Sequence, residues 1–222
     1  HLGVWGYVYT MAYRPDLVPK GITFNSWNDL WNPALKNMRA LPDWDPSHII
    51  TVAAKLAGAD AAHWQQGQAK LKALIPNIKS FYTDDANSQQ LISTGETPVQ
   101  VMLSMNAYTM MAEGVNIKLA IPKEGAVLGV DTIGINKGTK HADLAYKFIN
   151  IALNPKIQEQ VAKIYRGSPT VTNAHIDPNL AKLPGMLNTA AQWDATINTD
   201  PQLRAEKTAE WRQWFSENIM SH

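Results

Sequence analysis

Apolar residues recur at helical spacing in five stretches of this chain, and three of these begin at an Asx-Pro pair. Asp45-Pro46 opens a segment with Ile49, Ile50, Val52, Ala53, Leu56 and Ala57 on one face, ending at Gly58. Asn154-Pro155 opens a second, with Ile157, Val161 and Ile164, that stops near Gly167. Asp200-Pro201 precedes a terminal helix carrying Leu203, Trp211, Trp214 and Phe215. In each pair the Asx side chain accepts from free backbone N–H groups of the first turn. Proline fits the first helical position because it has no N–H to leave unpaired. A fourth stripe runs through Ala145, Phe148, Ile149, Ala152 and Leu153. A fifth helix is predicted from about Ala61 to Ile75, with Leu71, Leu74 and Ile75 turned inward.

Shorter apolar runs predict strands at Val4–Met11, Pro98–Leu103, Ile117–Ile121 and Leu128–Ile135. Strands interleaved with helices in this way predict a layered α/β architecture. No internal repeat or low-complexity tract is present. The stretch from Val171 to about Pro184 has little periodicity and suits a linker between two parts of the fold.

Composition narrows the function. Lys and Arg number 20 against 19 Asp and Glu, and no run of like charges exceeds two residues. A nucleic-acid partner is therefore not expected, since it calls for a clustered basic face. With 0 Cys, a thiol nucleophile, a redox pair and a thiolate metal site are excluded. No apolar run is long enough to predict a transmembrane helix. The sequence holds no G-x-S-x-G elbow, H-E-x-x-H helix, phosphate loop or G-x-G-x-x-G turn. His1, His48, His63, His141, His175 and His222 show no metal-ligand spacing. No enzyme activity and no cofactor are expected.

An ordered series of short segments carries a resemblance. Ile121-Pro122-Lys123-Glu124-Gly125 is followed by Gly129-Val130-Asp131, the helix through Phe148, Asn154-Pro155, and Gly167-Ser168-Pro169-Thr170. Upstream stand Ser26-Trp27-Asn28-Asp29-Leu30-Trp31 and Leu41-Pro42-Asp43. This series resembles the spermidine/putrescine-type bacterial solute-binding proteins of ABC importers. The resemblance implies the α/β type II periplasmic-binding fold, with two lobes joined by crossing strands and ligand buried between them. It places residues 6–117 in the second lobe, has 118–172 return to the first, and packs the helical segment 173–222 back on the second. It also implies that the first lobe is incomplete here, Val4–Tyr9 being a strand that crosses out of it. The first residue is His rather than Met, as in a processed product or a fragment. An incomplete lobe would expose the apolar stripe at 145–153 to a missing N-terminal segment or another chain.

The expected function is capture of a small amine-bearing solute, a polyamine or an amino-acid-like zwitterion, for delivery to a membrane permease in the bacterial periplasm. The alternatives are a ferric ion or oxyanion receptor of the same fold, or a fragment with no binding activity of its own. By resemblance Asp131 faces a ligand ammonium. Asp45 falls at another acidic ligand position and is equally suited to capping its helix; Asp43 lies just before it. Where the family shows a second carboxylate one turn on, this chain has His48. The cleft tryptophans expected of the family fall on Gly129 and near Leu103. Ser168 stands where an aromatic is expected. Arg166 beside it is either a clamp for a carboxylate or a cation at a helix C-terminus. Tyr7 and Tyr9 turn to one face of their strand, where one of them suits a cleft wall. Trp27 with Trp31, and Trp211 with Trp214, have the spacing of core residues, whereas Trp5, Trp44 and Trp64 leave either role open.

Overall fold

One long strand organises the molecule. The computed structural model describes residues 1–221. Its sheet contains β1 (Leu2–Tyr13), β2 (Arg39–Pro42), β3 (Ile78–Tyr82), β4 (Val99–Leu103), β5 (Lys118–Ala120) and β6 (Val127–Ile133). The order is β3-β2-β4-β1-β5, with β6 also paired to β1. β2 runs parallel to β3 and β4, while β1 is antiparallel to β4, β5 and β6. The far half of β1, Tyr9–Tyr13, pairs with β4; the near half, Leu2–Tyr9, pairs with β6 instead. A single strand thus links two regions of sheet, as the resemblance anticipates for a crossing strand.

The helices are α1 (Ser47–Leu56), α2 (Gln68–Lys72), α3 (Asp85–Ser93), α4 (Ser104–Ala112), α5 (Ala142–Ala152), α6 (Pro155–Tyr165), α7 (Pro178–Ala181), α8 (Ala190–Asp194) and α9 (Pro201–Phe215). They cover both faces of the sheet, and the resulting layers follow from the period-two pattern of β1. Val4, Gly6, Val8, Thr10 and Ala12 are buried on one face. Ala12 packs there with Ile92, Met102, Tyr108 and Met186. Met11, on the other face, joins the main core of Ile49, Ile50, Trp64, Trp211 and Phe215 under α1 and α9. Earlier on that second face, Trp5, Tyr7 and Tyr9 are only partly buried and form a half-open aromatic furrow along the strand.

Two of the three Asx-Pro predictions match what is seen, and at the third Pro46 itself takes the cap position, α1 starting at Ser47. Asn154 accepts from the Lys156 N–H and Asp200 from that of Leu203, each opening its helix. Asp45 accepts from the Ser47 N–H at 3.0 Å. The predicted helix at 61–75 is shorter: residues 61–67 form a 3-10 segment with a kink at His63, and α2 starts only at Gln68. Packing decides this. A Cβ on Gly67 would lie 2.6 Å from the backbone nitrogen of Ala54, so the segment lies directly against the α1 backbone. Trp27 is buried and donates from its indole N–H to the Gly125 carbonyl at 2.7 Å. Glu124 accepts from the Ser26 hydroxyl and the Trp27 N–H. Two separate segments of the motif series are thereby held together.

One surface departs from ordinary burial. Leu144, Tyr146, Phe148 and Ile151 on α5, with Ile157, Ile164 and Tyr165 on α6, are exposed. Of the predicted α5 stripe Ile149 is buried, whereas Phe148 faces outward at 62 % exposure. Exposed apolar residues in such number on two consecutive helices are characteristic of a surface that receives other structure.

Candidate functional site

The carboxyl ends of the three parallel strands meet at one edge, and the segments that follow them carry charge. β2 leads into Asp43 and Asp45, β3 into Asp84 and Asp85, and β4 into Ser104. In open α/β sheets such an edge is where ligands settle, because the chain turns away there and leaves a crevice. β1 passes beside it, with Leu103 at the end of β4 paired to Tyr9.

Aromatic rings line the open face of β1. Trp5 stacks on Tyr165, with centroids 6.2 Å apart and planes 9° from parallel. Tyr7 meets Tyr9 edge-on at 6.0 Å, and Tyr9 lies 3.7 Å from the His48 ring. The Tyr7 hydroxyl donates to Asp131 Oδ1 at 3.1 Å. Burial, then the negative charge of Asp131, hold the Tyr7 phenol above its ordinary range, so it remains a donor at neutral pH. Gly129 permits this arrangement: a Cβ there would lie 2.0 Å from the Tyr7 ring. The aromatic that the resemblance places at 129 is thus replaced in space by Tyr7, from the neighbouring strand. The aromatic wall comes from β1 rather than from the two expected tryptophan positions.

Below the rings lies an ion pair. Asp45 is buried and accepts from Arg204 through Oδ2 as well as from Ser47 through Oδ1. Burial pushes its carboxyl up, but His48, the Ser47 N–H and Arg204 together bring it below the ordinary value. His48 is buried under Tyr9, and desolvation lowers its pKa to about 4. It is therefore neutral at neutral pH, and its Nε2 is 4.0 Å from Asp45, too far for a hydrogen bond. Arg204 is the working counter-charge. Its helix is fixed over α1 by the Thr51–Thr199 hydroxyl contact at 3.1 Å and by the Asp200 cap.

The predicted residues therefore divide. Tyr7, Tyr9 and Asp131 come together, with Asp45 at the floor beneath Tyr9 and His48. Asp43 is partly buried at the same strand edge, its N–H donating to the Tyr82 carbonyl at 3.2 Å. Arg166 ends α6 in the left-handed conformation (φ 57°) and donates to the Thr109 hydroxyl at 3.3 Å. That matches the helix C-terminal reading of this residue. Ser168 is buried; its backbone pairs both ways with Gly6, and its hydroxyl accepts from the Leu187 N–H at 2.8 Å. Replacing Ser168 by Ala strands that buried N–H, and the expected result is a stability loss of about 1–3 kcal/mol by chemical denaturation. Solute affinity should stay unchanged in calorimetry, because this hydroxyl is already bonded within the chain.

Trp64 is buried, and Trp44 packs edge-on against Tyr82 in the core. Of the three open tryptophans only Trp5 stands on the aromatic row. The buried phenols of Tyr82 and Tyr108 donate to the Val101 and Pro184 carbonyls. Arg204 was not visible as a site residue from the sequence. Its partner is 159 positions away, and no local spacing signals the pair. A cavity of about 540 Å3 also opens on the opposite face of β1, beside Trp193, which packs against Gly6. Asp194 is the one charged residue in its lining, and it lacks the opposed charges of the furrow.

Known proteins share sequence and fold with this chain. A family model described as bacterial extracellular solute-binding protein matches residues 9–188. The chain is 29 % identical over 183 residues to the spermidine/putrescine-binding periplasmic protein of Salmonella typhimurium, covering 80 % of this chain and 49 % of that protein. It is 26 % identical over 218 residues to the gamma-aminobutyric acid-binding protein of Pseudomonas aeruginosa, covering 89 % and 60 %. The crystal structure of an ABC transporter protein from Clostridium perfringens superimposes with a TM-score of 0.82 at 28 % identity, covering 98 % of this chain and 68 % of that one. The chain thus spans about half the length of the Salmonella protein. With the fold of such receptors and the matched segment running from the crossing strand past the Ser168 turn, this chain belongs to the bacterial extracellular solute-binding proteins.

Proposed function

We propose that the chain forms the larger part of the solute-gripping body of an ABC importer's receptor, which captures a small amine-bearing solute without transforming it. The observation that carries this reading is the Tyr7–Asp131 pair at the mouth of an aromatic furrow. A carboxylate already oriented by a phenol, flanked by ring faces, suits an ammonium on a short carbon chain, through charge-assisted hydrogen bonding and cation–π contact. The ligand residues in this reading are Asp131, Tyr7 and Tyr9, with Asp45 and Asp43 shaping the floor; Ser168 and Arg166 support the fold around them. The relatives named for polyamines and for gamma-aminobutyric acid lend weight to amines as a class.

In this reading residues 6–117 form the second lobe, and the described part of 173–222 packs back on it through Trp211 and Phe215, residue 222 lying outside the described residues. Residues 118–172 return to the first lobe, with Lys118–Ala120 pairing with Met11–Tyr13 at the start of that return. The exposed apolar face of α5 and α6 is the surface that further first-lobe structure would cover. Closure of two lobes over the solute is a shift between existing states, driven by contacts made only when closed. The closed form in the periplasm would then dock on a membrane permease.

The test is isothermal titration calorimetry of the intact protein with putrescine, spermidine and gamma-aminobutyric acid. A saturable heat is expected with at least one of them. Silence with every amine would remove this ligand class, and iron found by metal analysis would replace it with the ferric reading.

A further inference from the structure

Asp45 is not free to receive a second ammonium. Both of its carboxylate oxygens are engaged from within the chain, Oδ1 by the Ser47 N–H and Oδ2 by the Arg204 guanidinium. The Asp45 side chain is nearly buried, whereas 42 % of the Arg204 side chain is exposed. A guanidinium carries five N–H donors in a planar fork, and the contact with Asp45 uses one end of it. Among the described residues its guanidinium has no other hydrogen-bond partner, so the remaining N–H groups are available. Contacts connect this pair to the ring face: Asp45 lies 4.0 Å from His48 Nε2, the His48 ring packs 3.7 Å from Tyr9, and Tyr9 meets Tyr7, whose hydroxyl donates to Asp131.

We infer that Arg204 selects the solute: it neutralises Asp45 and offers its free N–H groups to a carboxylate, so the furrow accepts one ammonium, at Asp131, and one carboxylate, at Arg204. This deepens the amine-binding reading and rests on it. A diamine would bring its second cation up to the Arg204 guanidinium, where like charges in a partly desolvated furrow repel. A solute with one ammonium and one carboxylate meets an opposite charge at each end. His48 adds no competing cation at neutral pH, since burial keeps it uncharged. Arg166, the other arginine considered as a clamp, is bonded to Thr109 instead.

Putrescine and gamma-aminobutyric acid share one carbon skeleton and differ at one end group, so they probe this directly. By calorimetry the intact protein should bind gamma-aminobutyric acid at least about tenfold more tightly than putrescine. Arg204→Met should weaken gamma-aminobutyric acid by roughly 30-fold or more and strengthen putrescine, because Asp45 is then unpaired. Arg204→Lys, which keeps the charge and loses the fork, should fall between. If the unpaired Asp45 prevents folding of Arg204→Met, the Asp45→Asn/Arg204→Gln double variant removes both charges and should lose the preference. Tighter putrescine binding by the unaltered protein, or gamma-aminobutyric acid affinity unmoved by these variants, would overturn the role of Arg204 while leaving amine capture at Asp131 intact. Absence of binding by any amine would instead overturn the reading beneath it.

Discussion

Replacing Asp131 by Asn should lower affinity for the amine solute by roughly 30-fold to 1,000-fold, the usual loss when one side of a desolvated charge pair is made neutral. The side chain sits near the end of β6, opposite Trp5, and is only partly buried, so its loss should cost little stability. Asn can still accept the Tyr7 hydroxyl through its amide oxygen, which keeps the ring over Gly129. The variant therefore separates charge from shape. Calorimetry should show weak binding alongside an unchanged melting temperature. Tyr7→Phe makes the complementary change, keeping the ring and charge but removing the donor. Its smaller expected loss, about threefold to tenfold, reflects one hydrogen bond that orients the carboxylate. Full affinity in the Asp131→Asn protein would show that the ammonium is held elsewhere.

Local chemistry was legible in the sequence, and tertiary chemistry was not. The three Asx-Pro starts could be identified because a cap is made within two or three residues of itself, as at Asn154 and Asp200. β3 was missed: Ile78–Tyr82 alternates poorly, with Lys79 and Ser80 at its centre, and its place beside β2 comes from pairing rather than pattern. α3 went unseen for a similar reason, since only Ser88, Leu91 and Ile92 are buried along it. α4 follows β4 with no intervening breaker. Its first residue, Ser104, accepts from the Val8 N–H at 3.2 Å, a contact spanning 96 positions. The same division holds at the site. Alternation on β1 indicated that Tyr7 and Tyr9 share a face, and family likeness pointed to Asp131. Nothing local revealed that Tyr7 would fill the space above Gly129, or that Arg204 would reach Asp45.

His48 should make the protein lose stability between about pH 6.5 and pH 4. Its folded pKa is depressed, so over that window the unfolded chain binds a proton that the folded chain resists. Stability is complete above the unfolded value of about 6.5, falls as the pH drops, and levels off below about pH 4. A shift of this size corresponds to about 3 kcal/mol, within the range for one fully buried imidazole. Asp45 acts lower on the scale. Its pKa is also depressed, so its contribution is present above its unfolded value and is lost as the pH falls through the folded one. The two effects therefore follow one another on acidification. Urea denaturation from about pH 7.5 down to about pH 4.5 should show a steep slope in the unaltered protein and a much shallower one in His48→Gln, whatever the variant's absolute stability. Equal slopes would mean that His48 takes up its proton without unfolding, with room to relax away from Tyr9. Binding should weaken over the same range. The groups facing the imidazole are Tyr9, Asp45 and Arg204, and a protonated ring would put a second cation beside Arg204 at the furrow floor. That cation would compete for Asp45 and loosen the grip of Asp45 on the guanidinium, disturbing both ends of the site together.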